Sequence, residues 1–326
     1  MRNTVLGLLR GKQGEYVSGE DISRGLDVSR TAVWKHVQNL RQEGYVIDSN
    51  PRQGYRLISA PDQLWADEVI HGLRTKWLGR NVVHFSSIGS TNKEAKRLAA
   101  QEAVEGTVVV AESQTGGRGR LCRSWFSPGK GGIWFSVILR PKIHPTEAAK
   151  FTFLGAVAVA KAIREITGLQ VEIKWPNDIH FKGRKLVGIL TELSAEMDAI
   201  NYIVMGIGIN VNMDIEEFPV ELQDVASTLK RETGSDISRR LLLQAILEEL
   251  EQRYEEIRRE GFATVFSTWR TMNCTLGFQV SVVTADQQFT GLAIDIDAEG
   301  ALLVKKMDGL IERVLSGDVS IRRHYE

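Results

Sequence analysis

Three glycines and three arginines fall within the eight residues Gly116–Arg123, inside the run QTGGRGRLCRSW (114–125). Glycine frees the backbone, and arginine supplies a fixed cationic fork that fits phosphate or carboxylate. Such a stretch serves as a mobile linker, as an RGG-like nucleic-acid contact, or as a loop that closes on an anionic small molecule. Three other stretches carry chemistry. In GSTNKEA (89–95), Ser90, Thr91 and Asn92 stand at a helix start. There they cap the helix or, with the free amides of its first turn, hold a polar ligand. In KWPNDIHFKGRKLVGILTE (174–192), Lys174, Asn177 and Asp178 project from a strand end after a Trp-Pro turn, and Lys185 sits on the return strand. Two lysines and a carboxylate at one sheet end suit phosphoryl or acyl transfer, or are ordinary strand-end charges in water. In GIGINVN (206–212), glycines alternate with isoleucines. Glycine weakens a strand and often marks the close approach of a ligand.

Two other glycine-containing runs fail as phosphate sites. In GLLRGK (7–12) the glycines are too close for a phosphate loop, and Gln13 stands where Ser or Thr should hold magnesium. GIGIN (206–210) lacks the third glycine of a dinucleotide fingerprint and ends a strand without opening a helix.

The elements that must position these residues follow from periodicity and punctuation. Residues 1–60 read as a helix, then helix, turn, helix, then a hairpin. Ser18 with Asp21 opens the second helix, and Ser29 caps a third in which Val33, Val37 and Leu40 share one face. YVIDSNPRQGYRL (45–57) reads as two strands around a Ser-Asn-Pro turn, and residues 59–63 as a linker. Residues 64–270 alternate strands and helices as α+β, with strands expected to run in sequence as hairpins. Residues 271–326 hold only short strands, spaced as in a small β barrel.

The outer face of the third helix carries Ser29, Arg30, Thr31, Lys35 and Gln38, with Trp34 between the faces; Arg52 and Arg56 lie on the hairpin. These are phosphate-neutralising and base-reading side chains in a winged helix-turn-helix order. The other reading is a packing or dimerisation module with solvated charges. Net charge is zero, so no global field draws the chain to polyanions, although residues 1–60 carry nine Lys/Arg against six Asp/Glu. Cys122 and Cys274 are too few for a disulfide framework or a zinc site, and no apolar run nears the ~20 residues of a membrane span. A cytoplasmic protein without membrane contact and without a protein-bound metal site is expected.

Taken together and in order, STN, QTGGRGRLCRSWFSP, KWPND, GRKLVGILTE and GIGINVN resemble the biotin–protein ligases over essentially the whole chain, and GLAIDIDAEGALLV (291–304) and SGDVS (316–320) match that family's C-terminal part. The helix-turn-helix matches the bifunctional subgroup, in which the ligase also represses the biotin operon. The resemblance implies a winged helix-turn-helix at 1–60, a catalytic domain at 64–270 related to class II aminoacyl-tRNA synthetases (an SH2-like mixed sheet), and an SH3-like barrel at 271–326. It implies biotin, ATP and Mg²⁺ as ligands and biotinyl-5′-AMP as intermediate. The implied partners are a biotin carboxyl carrier domain, such as that of acetyl-CoA carboxylase, operator DNA, and a second copy of the chain when the adenylate is bound.

Residue by residue, the resemblance implies a catalytic set of Lys185, Arg118, Arg120 and Asp178, with Lys185 bridging the biotin carboxylate and the α-phosphate and Asp178 orienting the carrier lysine or a metal. Ser90, Thr91, Asn92 and Gln114 would bind the ureido head. Gly117, Arg118, Gly119 and Arg120 would order over the ligand. Trp125 would wall it or belong to the core, and Gly188, Gly206 and Gly208 would let strands lie against it. Arg118, Arg120, Arg123, Lys174, Asn177, Lys185, Asn210 and Arg322 would meet the nucleotide. Leu121-Cys122 departs from the Arg-Gly common there, which is expected to alter how long the adenylate is retained. Two rivals remain: a lipoate-type ligase relative, and a biotin-sensing transcription factor with weak catalysis.

Overall fold

Ser18 and Ser29 set the helix-turn-helix by accepting backbone amides: Ser18 Oγ from Glu20 and Asp21, Ser29 Oγ from Ala32. They open α2 (Gly19–Leu26) and α3 (Arg30–Gln42), which follow α1 (Arg2–Gly11). Asp27 ends α2 in the left-handed region. Val5, Leu6, Leu9, Ile22, Val33, Val37 and Leu40 are buried and form the core of this unit. The wing is β1 (Val46–Asn50) paired with β2 (Gly54–Ser59). Ser49 and Asn50 are therefore in the strand, and the turn falls on Pro51–Gln53, where Asn50 Oδ1 accepts the amides of Arg52 and Gln53. The structure, a computed structural model, describes residues 2–12, 14–284, 287–315 and 317–321. It divides into two compact units, 1–63 and 64–326.

The second unit begins with α4 (Ala66–Ile70), β3 (Val82–Phe85), α5 (Thr91–Ala100), β4 (Val108–Ala111) and β5 (Gly132–Leu139). It continues with α6 (Phe151–Thr167), β6 (Glu172–Lys174), β7 (Asp178–Phe181), β8 (Arg184–Ala195) and β9 (Ile200–Asn210). The seven strands form one mixed sheet in the order β3-β4-β5-β9-β8-β7-β6. The expected antiparallel pairing of consecutive strands holds for β4 with β5 and from β6 to β9. β3 and β4 are parallel, joined through α5, and β5 pairs with β9 rather than with its successor. The reason is burial: β5 is apolar on both faces, so it takes a central place between β4 and β9.

The two faces of the sheet are covered differently. On one, α6 and the long α9 (Arg239–Glu260) pack with α10 (Ala263–Met272) over Val137, Met205 and Ile207. On the other, Ala95 and Ala99 of α5 meet Val109, Ile138 and Val204. Short helices α7 (Val220–Gln223) and α8 (Leu229–Thr233) lie between β9 and α9. The chain ends in a five-stranded antiparallel sheet of β10 (Gln279–Val283), β11 (Gln288–Ile296), β12 (Leu302–Lys305), β13 (Ile311–Val314) and β14 (Asp318–Ile321), ordered β13-β12-β11-β10-β14. Trp175 ties this sheet to the central one: its indole N–H donates to Gly300 O (3.1 Å) and its backbone N–H to Thr275 Oγ1 (2.9 Å). Among the described residues, no helix is long and apolar enough to cross a membrane.

Candidate functional site

Beyond the N-terminus of α5, a cavity of ≈ 390 Å³ opens over β9, β8 and β7. All four motif stretches converge on it. Its first end is lined by neutral side chains, of which Thr91, Asn92 and Gln114 are hydrogen-bonded. Ser90, at the N-cap of α5, makes no cap hydrogen bond, so the capping reading of the 90–92 stretch is not realised. Gln114 Oε1 instead accepts from Thr91 N (2.8 Å) and Thr91 Oγ1 (3.1 Å), while Gln114 Nε2 donates to Ser127 Oγ (3.0 Å). Asn92 Nδ2 donates to Glu192 Oε2 (2.8 Å) and Leu190 O (3.2 Å). Fully buried Ser136 lies behind them, its Oγ 2.8 Å from Thr91 Oγ1 and 2.6 Å from Asn92 Oδ1. Its single proton goes to Asn92 Oδ1, which can only accept.

The glycines of β8 and β9 make room, and the protein's own side chains occupy it. A Cβ on Gly206 would stand 1.9 Å from Asn92 Oδ1, and one on Gly208 2.3 Å from Trp125 Nε1. A Cβ on Gly188, the register partner of Gly208, would meet the Trp125 ring at 2.8 Å. Trp125 thus lies across two strands, edge-on to Trp134 with ring centroids 6.4 Å apart. It belongs at once to the cavity wall and to a small apolar cluster with Met213 and Phe218.

The second end is charged. The 117–125 loop is a tight hairpin: Arg118 bridges Ser124, Gly119 N donates to Arg123 O (2.7 Å), and Trp125 N donates to Gly117 O (3.0 Å). It brings Arg118, Gly119, Arg120 and Arg123 to the cavity, whereas Gly117 sits at the hairpin base and does not line it. Arg120 Nη1 donates to Asn177 Oδ1 (3.2 Å), and Asn177 Nδ2 to Ile189 O (2.7 Å). Lys174 also lines the cavity, and Asn210 does so with its Nδ2 donating to Ser227 O (3.1 Å). Lys185 Nζ is 2.7 Å from Asp178 Oδ1 and 5.3 Å from the Trp125 ring. Burial works to raise the Asp178 pKa, but the neighbouring His180 and Lys185 outweigh it, so the carboxyl is held below its ordinary value. Glu192 is lowered in the same way, with Lys96 and Asn92 overcoming burial.

Three features of this site lie outside the motif stretches or their expected roles: Ser136, His180, and an apolar wall of Phe218, Leu222, Val225 and Ala226. Ser136 was visible as a lone polar residue within GIWFSVIL, and His180 as the residue two after Asp178 on the same strand face. The wall carried no signal, because it comes from α7 and the turns around it, which pack back on Lys185, whose N–H donates to Val225 O (2.8 Å). Arg322 and the Cys122 side chain lie outside the described residues. Among the described residues, no group of three or more His, Cys, Asp or Glu is placed to hold a metal.

In the first unit, α3 presents Ser29, Arg30, Thr31, Trp34 and Lys35 to solvent, with Gln38 partly covered. Trp34 is 52% exposed, so it belongs to the outer face. Arg30 pairs with Glu20, and Arg52 is exposed beside the wing turn. Arg56 is committed elsewhere: it pairs with Asp48 (3.2 Å) and lies over the Tyr16 ring (4.6 Å).

Residues 84–210 match the biotin/lipoate A/B protein ligase family, residues 2–56 an HTH domain and residues 275–322 the biotin protein ligase C-terminal domain. The chain is 42% identical to the bifunctional ligase/repressor BirA of Bacillus spizizenii over 98% of both chains. The chain belongs to the biotin protein ligases. Another of these ligases, the bifunctional ligase/repressor BirA of Escherichia coli, is 32% identical over 95% of this chain and 94% of its own. A solved biotin protein ligase from Aquifex aeolicus, in complex with biotin and ATP, is 32% identical with a TM-score of 0.64, covering 75% of this chain and all of its own. The order helix-turn-helix, ligase domain, C-terminal sheet is therefore that of the family's bifunctional members.

Proposed function

We propose that this chain joins biotin to ATP as biotinyl-5′-AMP, releasing pyrophosphate, and then transfers the biotinyl group to one lysine of a biotin carboxyl carrier domain. The observation that carries this is one cavity with a neutral hydrogen-bonding end and a cationic end. A bicyclic urea offers one C=O and two N–H groups, and Ser90, Thr91 and Gln114 supply matching hydroxyl and amide groups, with Asn92 held in place behind them. The valeryl chain runs over Trp125, which the bare strands at Gly188 and Gly208 let lie flat, and its carboxylate reaches Lys185. Arg118, Arg120, Arg123 and Lys174 offset the repulsion between that carboxylate and the α-phosphate, where charge builds in the transition state. Phe218, Leu222 and Val225 offer an apolar wall to the purine. Mg²⁺ enters with the triphosphate, which supplies its oxygen ligands. In the second step the carrier lysine amine attacks the anhydride carbonyl, AMP leaves, and Asp178 orients the incoming amine.

The helix-turn-helix reads operator DNA through Thr31, Trp34, Lys35 and Gln38, with Arg30 and Arg52 on phosphates. Two half-sites call for two copies, and the adenylate, by ordering the 116–123 loop, favours the dimer. The work is cytoplasmic. A lipoate-type acid fits less well, because a dithiolane ring offers no hydrogen bonds to the polar end and would leave it unpaired. Incubation with labelled biotin, ATP and a carrier domain tests the reading. Label transferred to carrier supports a ligase, and binding without transfer leaves a sensor. Sedimentation with and without biotin and ATP tests the dimer: an unchanged mass removes the repressor mechanism.

A further inference from the structure

His180 stands inside the site without a part in the reaction above. β7 places it on the same face as Asp178, and an irregularity after Ile179 sets it opposite Lys185 on β8. A one-residue slip of this kind re-aims side chains beside active sites. Its Nδ1 is 3.1 Å from Gly183 O, a carbonyl that can only accept, so Nδ1 carries the hydrogen. In the neutral ring Nε2 is then a bare acceptor. It is buried, has no hydrogen-bond partner, and faces Asp178 Oδ2 at 3.9 Å. Two acceptors thus look at each other with no hydrogen between them, next to the Lys185–Asp178 ion pair. Leaving a buried polar atom unpaired is costly, and a proton on Nε2, with a shift of the ring of under an ångström toward Asp178 Oδ2, would give it a partner.

We propose that His180 is a positioning residue for Lys185: a proton taken up on Nε2 lets the ring share the Asp178 carboxylate and loosens its hold on the lysine. Lys185 then holds Asp178 from Oδ1 while the imidazolium holds it from Oδ2. The carboxylate's attraction is divided, and the ammonium is freer to move to the biotin carboxylate and the α-phosphate. The charged groups around the ring are Asp178 on its own strand, its register partner Glu172 on β6, its register partner Lys185 on β8, and Lys182 in the connecting turn. Asp224 lies in the segment packed beside Lys185 but is exposed. This inference rests on the ligase reading for its consequence but not for its geometry.

Histidine side chains change charge between about pH 5 and 8, so the test spans that range. Biotin-dependent pyrophosphate–ATP exchange by the full chain is expected to fall about tenfold from pH 6 to pH 8.5, the factor one charge-assisted hydrogen bond supplies. His180→Asn keeps a donor for Gly183 O and removes Nε2; it should abolish that slope and stay at the wild-type alkaline rate. His180→Gln places a permanent N–H toward Asp178 and should lose the slope while exceeding the wild type at pH 8.5. A slope that survives in both variants, with both melting like the wild type, overturns the proposal. A second readout is independent of activity. ¹⁵N NMR at pH 6 should find hydrogen on Nε2 in the wild type and not in Asp178→Asn. The same proton on Nε2 in both overturns the pairing. A wild type that makes no biotinyl-adenylate at any pH, yet shows the Asp178-dependent proton, removes the ligase reading and leaves the pairing standing.

Discussion

The two ends of the cavity are built on opposite principles. At the neutral end, polar side chains are already satisfied by one another: Asn92 by Ser136, Glu192 and Leu190 O, Gln114 by Thr91 and Ser127. Such an array has one geometry, so it selects a shape before any ligand arrives. At the charged end the cations come from a hairpin loop, from Lys174 at the end of β6 and from Lys185 in an ion pair. In the proposed reaction the groups there must exchange partners, which a fixed arrangement would hinder. On that proposal recognition falls to strands and a helix start, and chemistry to a loop and a strand end.

This contrast can be broken from either side. The largest effect is expected at the charged end. Lys185→Met should lower the adenylation rate by about 10²–10³-fold, as for loss of one transition-state charge donor, while biotin binding weakens far less. An equal loss in both would erase the distinction between the ends. The next is acid stability near the neutral end, where Glu112, two residues before Gln114, accepts from Arg239 Nη1 (2.8 Å) and Leu64 N (2.8 Å). Burial raises its pKa, but His84, Arg239 and the Leu64 amide together lower it to about 2. Its folded pKa lies below the unfolded one, so its contribution is complete above about pH 4.5 and is lost as pH falls toward 2. Glu112→Gln should abolish about 3 kcal/mol of acid-dependent stability in denaturation at pH 2.5 against pH 6. If the variant and wild type keep the same pH dependence, the buried carboxylate is not the anchor.

Gly208→Ala must push the Trp125 indole away and should weaken biotin binding by roughly tenfold or more in calorimetry. An unchanged affinity would mean that Trp125 does not shape the ligand site. The smallest change is Ser136→Ala, which leaves the buried Asn92 Oδ1 without a donor. It should raise the biotin KM by about tenfold with kcat nearly unchanged, from ~1–2 kcal/mol of lost hydrogen bonding. A fall in kcat alone would place Ser136 on the chemical side of the site.

The amino-acid sequence by itself determined the helix-turn-helix through its serine caps and buried Val33, Val37 and Leu40, and the strand-helix order of the ligase domain. It also gathered most site residues, because motif residues at strand ends and helix starts have local reasons to be there. Tertiary structure alone decided that β5 pairs with β9, which brings Ser136 beside Gly206 and hence beneath Asn92. It decided that Trp125 fills the space over Gly188 and Gly208, that Arg56 pairs with Asp48 in the wing, and that His180 faces Asp178 and Lys185. Caps and periodicity act within a few residues and are written locally. Strand pairing and side-chain packing join residues tens of positions apart, and their outcome depends on which buried surfaces fit together.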